Sequence, residues 1–291
     1  MNRSNAHTHF ASQGARISDI LCCPICRTEL SFLETSCECT KCGCVYQIKD
    51  GKYYFRKVQR KEDLYDSIDR FKYKFKSFPK IYNKIFISVL SPVLMNNKHK
   101  NILKKLSGYI INIGSGTDDI GADVINVDLI DYDNVSIVAD IHQLPFKDAS
   151  VDAVFNIAVL EHVPRPIEVI AEVNRVLKKG GVIFSVIPFM QPFHASPHDY
   201  QRYSLSGIQY LHNDFEAIDF GTYGGPISGF LWIAQEFLAV LFSFGVVRLR
   251  NILSLIFMLI TWPIKYLDLI FRNLKVSKNI SSSFYFYGKK L

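Results

Sequence analysis

The stretch YIINIGSGTDD (Tyr109–Asp119) decides the fold: an apolar, β-branched run breaks into a Gly-Ser-Gly turn. Downstream, DVINVDL (Asp123–Leu129) reads as a second strand ending on an acid, Asp128. VSIVAD (Val135–Asp140) is a third, ending on Asp140 and running into IHQLPF. A fourth, VDAVFNIAVLEHV (Val151–Val163), leads into a helical pattern, the turn KKGG and a fifth strand, VIFSVIP (Val182–Pro188). Strands alternating with helices or short crossovers predict an α/β fold with a parallel sheet, its ligand site at the carboxyl ends of the strands. The acids and glycines singled out above all fall at those ends.

A dinucleotide-binding fold also places glycines after strand one and an acid after strand two. Its fingerprint is G-x-G-x-x-G with the acid about 20 residues on. Here Asp119 stands where the third glycine belongs, and Asp128 comes 14 residues after Gly114. Asp118, Asp119 and Asp123 would also repel a diphosphate. A sulfonium cofactor carries no phosphate and meets no such objection.

From Leu103 to about Phe220, with a last piece at Phe284–Leu291, the sequence resembles the class I S-adenosylmethionine-dependent methyltransferases. The resemblance is closest to the small-molecule branch with an LPF…D…VLEH signature. It implies a seven-stranded Rossmann-like sheet. It also implies a glycine loop at Gly114 and Gly116 and a ribose-binding acid at Asp128. Asp140 and Ile141 match the pair that holds the adenine, and Asn156 and Ala158 match positions at the methionine end. Two departures stand out. Asn112 replaces the acid that often opens the loop, and TDDIGADV is too short for the usual first helix.

All seven cysteines lie between Cys22 and Cys44. Cys23-Pro-Ile-Cys26 and Cys39-Thr-Lys-Cys42 are two knuckles twelve residues apart, the spacing of a four-thiolate structural zinc site. Cys22, Cys37 and Cys44 are then spare thiols. Disulfides are the weaker reading, because Met1–Ile20 is polar and lacks the apolar core of a secretory signal. LCCPICRTEL…CTKCGCVYQIKDGKYYF resembles the zinc-ribbon family that partners and activates some methyltransferases, although that family's YPI-x-x-G-IP hairpin reads Tyr46-Gln47-Ile48-Lys49-Asp50-Gly51-Lys52 here, with its proline replaced. The boundaries expected are a ribbon at 17–56, a basic amphipathic linker at 57–102 and a methyltransferase domain at 103–291, with an apolar insertion at 224–280.

The formal charge of +7 is segregated. Residues 52–105 carry 15 Lys/Arg against 4 Asp/Glu, residues 106–247 carry 6 against 17, and residues 248–291 carry 8 against 1. The first basic segment interleaves Lys72, Lys74 and Lys76 with Phe and Tyr, then becomes apolar. That order suits a membrane interface better than nucleic acid. Phe230–Val247 and Ile252–Phe271 form an apolar mass that the core sheet does not need. Gln235 and Glu236 interrupt the first run, and Pro263 and Lys265 cut the second, short of the roughly 20 apolar residues a span needs. The expectation is a helical hairpin resting in one leaflet, with Arg248 and Arg250 at its tip; a homodimer interface and an active-site lid are the alternatives.

Methyl transfer to a hydroxyl or acidic carbon calls for a base. His162, directly after strand four, and the two histidines of the loop PFMQPFHASPHDYQRYSL, His194 and His198, are the candidates, with His162 and His198 preferred. That loop resembles the PHDY-x-R segment of methyltransferases found with cell-surface polysaccharide and lipid enzymes, where Asp199 and Arg202 would meet a sugar hydroxyl or phosphate. The alternative is a turn capping the next helix at Ser204. The functional expectation is methyl transfer to a membrane-presented or lipid-linked small-molecule or glycan acceptor, at the inner face of a membrane in the cytoplasm. A quinone ring is the second choice, and a non-catalytic scaffold the rival.

Overall fold

The computed structural model describes residues 17–56, 89, 91–195 and 198–291. Most of the basic segment, including Lys72, Lys74 and Lys76, lies outside the described residues.

The ribbon opens with a single helical turn, α1 (Ile17–Ile20), then strands β1 (Leu30–Phe32), β2 (Ser36–Cys39), β3 (Val45–Lys49) and β4 (Lys52–Tyr54). Helix α2 (Lys98–Leu103) leads into β5 (Ile110–Ile113), β6 (Val124–Asp128), β7 (Ile137–Val138) and β8 (Val151–Ile157). Helix α3 (Pro166–Val176) returns to β9 (Leu177–Pro188), and α4 (Leu205–Leu211) precedes β10 (Phe215–Gly224). Helices α5 (Pro226–Ser243), α6 (Val247–Thr261) and α7 (Asp268–Phe271) fill the insertion before β11 (Ser283–Lys290).

The half of the sheet that follows the ribbon runs β7-β6-β5-β8-β9-β11-β10, with β11 antiparallel to both neighbours. Strands β5, β6 and β8 are almost wholly buried, as expected of a parallel sheet covered on both faces. No helix separates β5 from β6, in keeping with the short TDDIGADV connection. The KKGG turn expected before β9 is instead built into that strand, where Gly180 takes φ +81° and the register with β8 shifts.

The ribbon is no tethered satellite. Strand β4 pairs in parallel with β7, Tyr53 opposite Ile137 and Tyr54 opposite Val138, so one sheet of 11 strands runs through both parts. Leu21 bridges Phe146, and Cys22 N–H donates to the Pro145 carbonyl at 3.0 Å. Arg27 donates to Leu144 O at 2.9 Å and pairs with Glu172 at 2.9 Å, clamping the LPF segment from the ribbon side. Ile20, Leu21, Leu30, Tyr46 and Phe55 share one apolar core with Ile111, Ile125 and Ile137.

In the insertion, Leu231, Gln235, Ala239 and Ser243 form the buried stripe of α5 at a spacing of four. The two polar interruptions in the sequence point into the hairpin. Gln235 donates to Thr261 Oγ1 at 2.6 Å, and Glu236 receives Arg250 Nε at 2.7 Å. Arg250 is therefore an interhelical partner, and of the two arginines expected at the tip only Arg248 is fully exposed. The carboxylate of Asp268, fully buried, caps α5 by accepting from Ile227 N at 2.9 Å and Ser228 N at 3.0 Å. The outward faces stay apolar and exposed, including Phe230, Phe237, Phe242, Phe244, Val247, Ile256 and Ile260.

Candidate active site and zinc ribbon

The glycine loop sits where β5 ends. Gly114 and Gly116 take φ +63° and +54°, in the left-handed region. They serve different ends. A Cβ on Gly114 would stand 2.4 Å from Val159 Cγ1, whereas a Cβ on Gly116 meets nothing within 4 Å. Gly114 thus allows close packing on the strand-four loop, and Gly116 borders open space beside Asp128.

Asp128 holds this loop together. Its Oδ2 accepts from Gly116 N at 2.8 Å and its Oδ1 from Ile130 N at 2.8 Å. Burial pushes its carboxyl up, opposed by these two N–H donors. Asn112 fills the place of the usual loop acid by donating to Asn126 Oδ1 across β5 and β6 at 3.1 Å. Asp140 accepts from His142 N at 3.0 Å, approaches His142 Nδ1 at 2.8 Å and meets Arg56 of the ribbon at 3.4 Å. Burial opposes its ionisation, yet these partners hold Asp140 below the usual carboxylate range. Ile141 is buried in the core beside it. The side chain of Asn156 is fully buried and donates to Ser185 Oγ at 2.6 Å, which in turn lies 2.7 Å from His212 Nε2. Its Oδ1 has no hydrogen-bond partner. Ala158 takes φ +56°, a strained conformation for a residue with a Cβ, where the chain leaves β8.

Gly114, Gly116, Asp128 and Asp140 therefore converge at the carboxyl edge of β5, β6 and β7, while Asn156 lies inside the sheet. A bordering surface left open at Gly116 and two carboxylates after successive strands fit a nucleoside cofactor that carries no phosphate. A cavity of about 740 Å³ lies elsewhere, between α2, β10 and α7, and none of these four residues lines it.

His162 and His198 part company. His198 is exposed, its ring packing on Tyr200 at 5.4 Å, and only its carbonyl reaches the site by accepting from His162 Nδ1 at 2.6 Å. His162 instead faces His194, ring centroids 5.4 Å apart, with Glu161 alongside. Sequence reading offered His194 as a candidate but did not bring it and Glu161 together with His162, although LEHV and PFHASPH display both. Asp199 and Arg202 pair with each other, and Asp199 also accepts from His194 N at 2.9 Å. Against the cost of burial, Arg202 holds Asp199 below the usual range. The pair locks the loop, and Ser204 caps α4 by accepting from Gly207 N at 3.1 Å, so the capping alternative describes this segment.

In the ribbon, the sulfurs of Cys23, Cys26, Cys39 and Cys42 all lie within 4.8 Å of one another. Tetrahedral zinc sulfurs stand about 3.8 Å apart; Cys23–Cys42 is 3.7 Å and Cys26–Cys39 is 3.3 Å. Four thiolates fit structural zinc and leave no open position. Burial pushes Cys22 and Cys37 up to about 11, which keeps both as neutral thiols outside the set.

Strand order, glycine loop and paired acids define a class I S-adenosylmethionine-dependent methyltransferase fold, here continuous with a zinc ribbon. Residues 117–185 match the family described as "Methyltransferase domain", and residues 15–51 match "Trm112p-like protein". Two uncharacterized chloroplastic methyltransferases of Arabidopsis thaliana are 38% and 39% identical over 94 and 85 residues, 29% and 28% of this chain. The matches span only 26% and 24% of those relatives. Among solved structures, Haemonchus contortus phosphoethanolamine N-methyltransferase 2 with S-adenosyl-L-methionine is 18% identical at a TM-score of 0.41, covering 67% of this chain and 52% of that one. The complex of the Haloferax volcanii Trm112 methyltransferase activator with a methyltransferase is 14% identical at 0.38, covering 66% and 87%.

Proposed function

We propose that the chain transfers a methyl group from S-adenosylmethionine to a small-molecule or lipid-linked acceptor presented at a membrane surface. The observation that carries the surface reading is the inserted hairpin, whose polar side chains pair inward and whose outward faces are apolar. Contiguous exposed apolar surface on this scale marks an interaction site. Among the described residues, helix α5 is long and apolar enough to cross a membrane, and α6 with the following Ile264–Phe271 passes the same test only as a pair bent by 51°. The bend, Arg248 at the tip and the exposed Lys275 and Lys278 suit a hairpin lying in one leaflet with its cations at anionic headgroups.

The hairpin also reaches the candidate site: Trp232 of α5 packs on His194, ring centroids 5.4 Å apart. An acceptor entering from the membrane plane would meet the histidines at the end of β8 and the loop after β9. When bound, the sulfonium supplies an activated methyl group, so positioning contributes most of the rate. Asp128 and Asp140 would orient the nucleoside, and the His162 side would receive the acceptor. Localisation at the inner face of a membrane follows from the same reading.

The test is co-sedimentation with vesicles containing anionic lipid, comparing the full chain with a Phe244→Asp/Val247→Asp tip variant. The full chain should bind, release with salt and lose binding in the variant, while S-adenosylhomocysteine binding is kept. Equal sedimentation of both proteins sinks the surface reading. A salt-stable dimer that ignores vesicles would assign the apolar face to a second copy.

A further inference from the structure

Glu161 ends the fourth strand's loop with a fully buried side chain, and neither carboxylate oxygen has a hydrogen-bond partner. A buried carboxyl in that state is costly unless something else satisfies it. Two imidazoles face it: His162 Nε2 stands 3.8 Å and His194 Nε2 3.9 Å from Glu161 Oε1. One ligand atom from each of the three residues lies within 4.8 Å of the others.

Both rings turn Nε2 toward Glu161 and Nδ1 away from it. His162 Nδ1 lies 2.6 Å from the His198 carbonyl oxygen, which fixes its proton there. His194 Nδ1 lies 3.2 Å from both the Pro192 carbonyl oxygen and Arg202 Nη2, so the carbonyl can accept from it or the guanidinium donate to it. Imidazoles that ligate metals commonly donate their other N–H to a backbone carbonyl. Asp199, itself paired with Arg202, accepts from His194 N at 2.9 Å and fixes the backbone that carries the second ring. Trp232 closes the outer side of His194.

We propose that Glu161, His162 and His194 form a second metal site, distinct from the ribbon, for a divalent transition ion of the zinc, manganese or iron type. Two imidazoles and one carboxylate suit such an ion and leave positions open. A metal about 2.1 Å from each ligand sets neighbouring ligand atoms about 3.0–3.5 Å apart, so the Glu–His pairs at 3.8 and 3.9 Å draw in by roughly 0.3–0.9 Å as the ion binds. Resting on the methyltransferase reading for its role alone, the ion would bind an acceptor oxygen, a hydroxyl or a phosphate, and lower the cost of ionising a hydroxyl.

The experiment titrates zinc-loaded full chain with Co²⁺ and records its absorption. One further equivalent should bind with a nitrogen- and oxygen-ligated spectrum and no thiolate charge-transfer band. Glu161→Gln and His194→Ala should each weaken it at least about tenfold, with ribbon zinc and S-adenosylhomocysteine binding retained as proof of folding. Absence of a second ion in the unaltered chain overturns the proposal. So does equal binding by both variants, or a thiolate band showing that Co²⁺ has entered the ribbon. Loss of S-adenosylhomocysteine binding in the unaltered chain would strike the methyltransferase reading and leave the ion count standing.

Discussion

Arg56, at the end of the ribbon, sets its guanidinium 3.4 Å from the carboxylate of Asp140, the acid that the proposed cofactor site assigns to the adenine. Both groups are over a third exposed, so the pair itself is worth little. Its value is positional. Strand β4 runs beside β7 and delivers the ribbon to the rim of the proposed cofactor site, with Lys52 and Tyr54 holding Asp131 on the way at 2.7 and 3.0 Å.

Zinc loss should therefore spread beyond the ribbon. Cys39→Ser should release the metal and expose the amides of Ile137 and Val138 to hydrogen exchange, because their outer neighbour is β4. Cofactor affinity should fall too. Cys37→Ala, a buried thiol outside the four-sulfur set, should keep zinc while losing some packing. Metal analysis with exchange mass spectrometry decides; zinc loss without change at β7 would mean the ribbon is energetically separate.

The two glycines of the loop should separate stability from binding. Alanine in the left-handed region costs roughly 1–2 kcal/mol at either position. Gly114→Ala must add a clash with Val159, a β-branched side chain with little rotamer freedom. It should be the less stable variant in urea. Gly116→Ala should fold and lose cofactor binding, since its Cβ enters only open space. Calorimetry with S-adenosylhomocysteine checks this; unimpaired binding by Gly116→Ala would place the cofactor elsewhere.

Asp128→Ala should lose about 1.5–3 kcal/mol of cofactor affinity, the range for hydrogen bonds to a charged group. It should also loosen the loop, because Gly116 N and Ile130 N lose their acceptor. Asp128→Asn, which keeps an acceptor for one of them, should be the milder change in melting temperature. Tighter binding of NAD than of S-adenosylhomocysteine by the unaltered chain would reject the cofactor assignment.

Much of this was legible in the sequence because it is local. Alternating strands, a glycine turn and acids at strand ends are set by nearest-neighbour chemistry, as are two CxxC knuckles. What escaped depends on distant segments meeting. The β4–β7 pairing needs the ribbon docked on Phe146 before Tyr53 can find Ile137. Gln235 and Glu236 read as breaks in an apolar run, yet they satisfy Thr261 and Arg250 across the hairpin. Glu161 and His194 are 33 residues apart and meet only after β9 and its loop return to the end of β8. His198 looked as eligible as His162, but nothing local foretells that it supplies a carbonyl.

Acid stability should depend on His212. It is fully buried, stacked on Phe286 at 4.6 Å, and burial pushes its pKa down to about 4. A depressed histidine stays neutral in the folded state while the unfolded chain takes up a proton below about 6.5. Folding is thus unaffected above that value, and stability is lost as pH falls toward 4, by roughly 2 kcal/mol at about pH 5. His212→Gln should be less stable at neutral pH but show a flatter decline. Parallel slopes in urea melts at pH 7 and 5 would remove His212 as the cause.

The hairpin should hinge on Asp268. This fully buried carboxylate accepts from Ile227 N, Ser228 N and Ser228 Oγ, so it satisfies the first turn of α5 from the far side of the insertion. A Cβ on Gly225 would stand 2.2 Å from it, which shows how closely the two ends are drawn together. Removing a capping side chain costs about 0.5–2 kcal/mol, and each buried donor left without an acceptor adds about 1–3 kcal/mol. Asp268→Ala should accordingly open the insertion locally, with faster proteolysis between 226 and 281 than in the unaltered chain. Cofactor binding should survive, because the glycine loop, Asp128 and Asp140 lie on other strands. Asp268→Asn, which retains one acceptor oxygen, should fall between the two. Equal cleavage rates for all three proteins would show that apolar packing alone holds the hairpin shut.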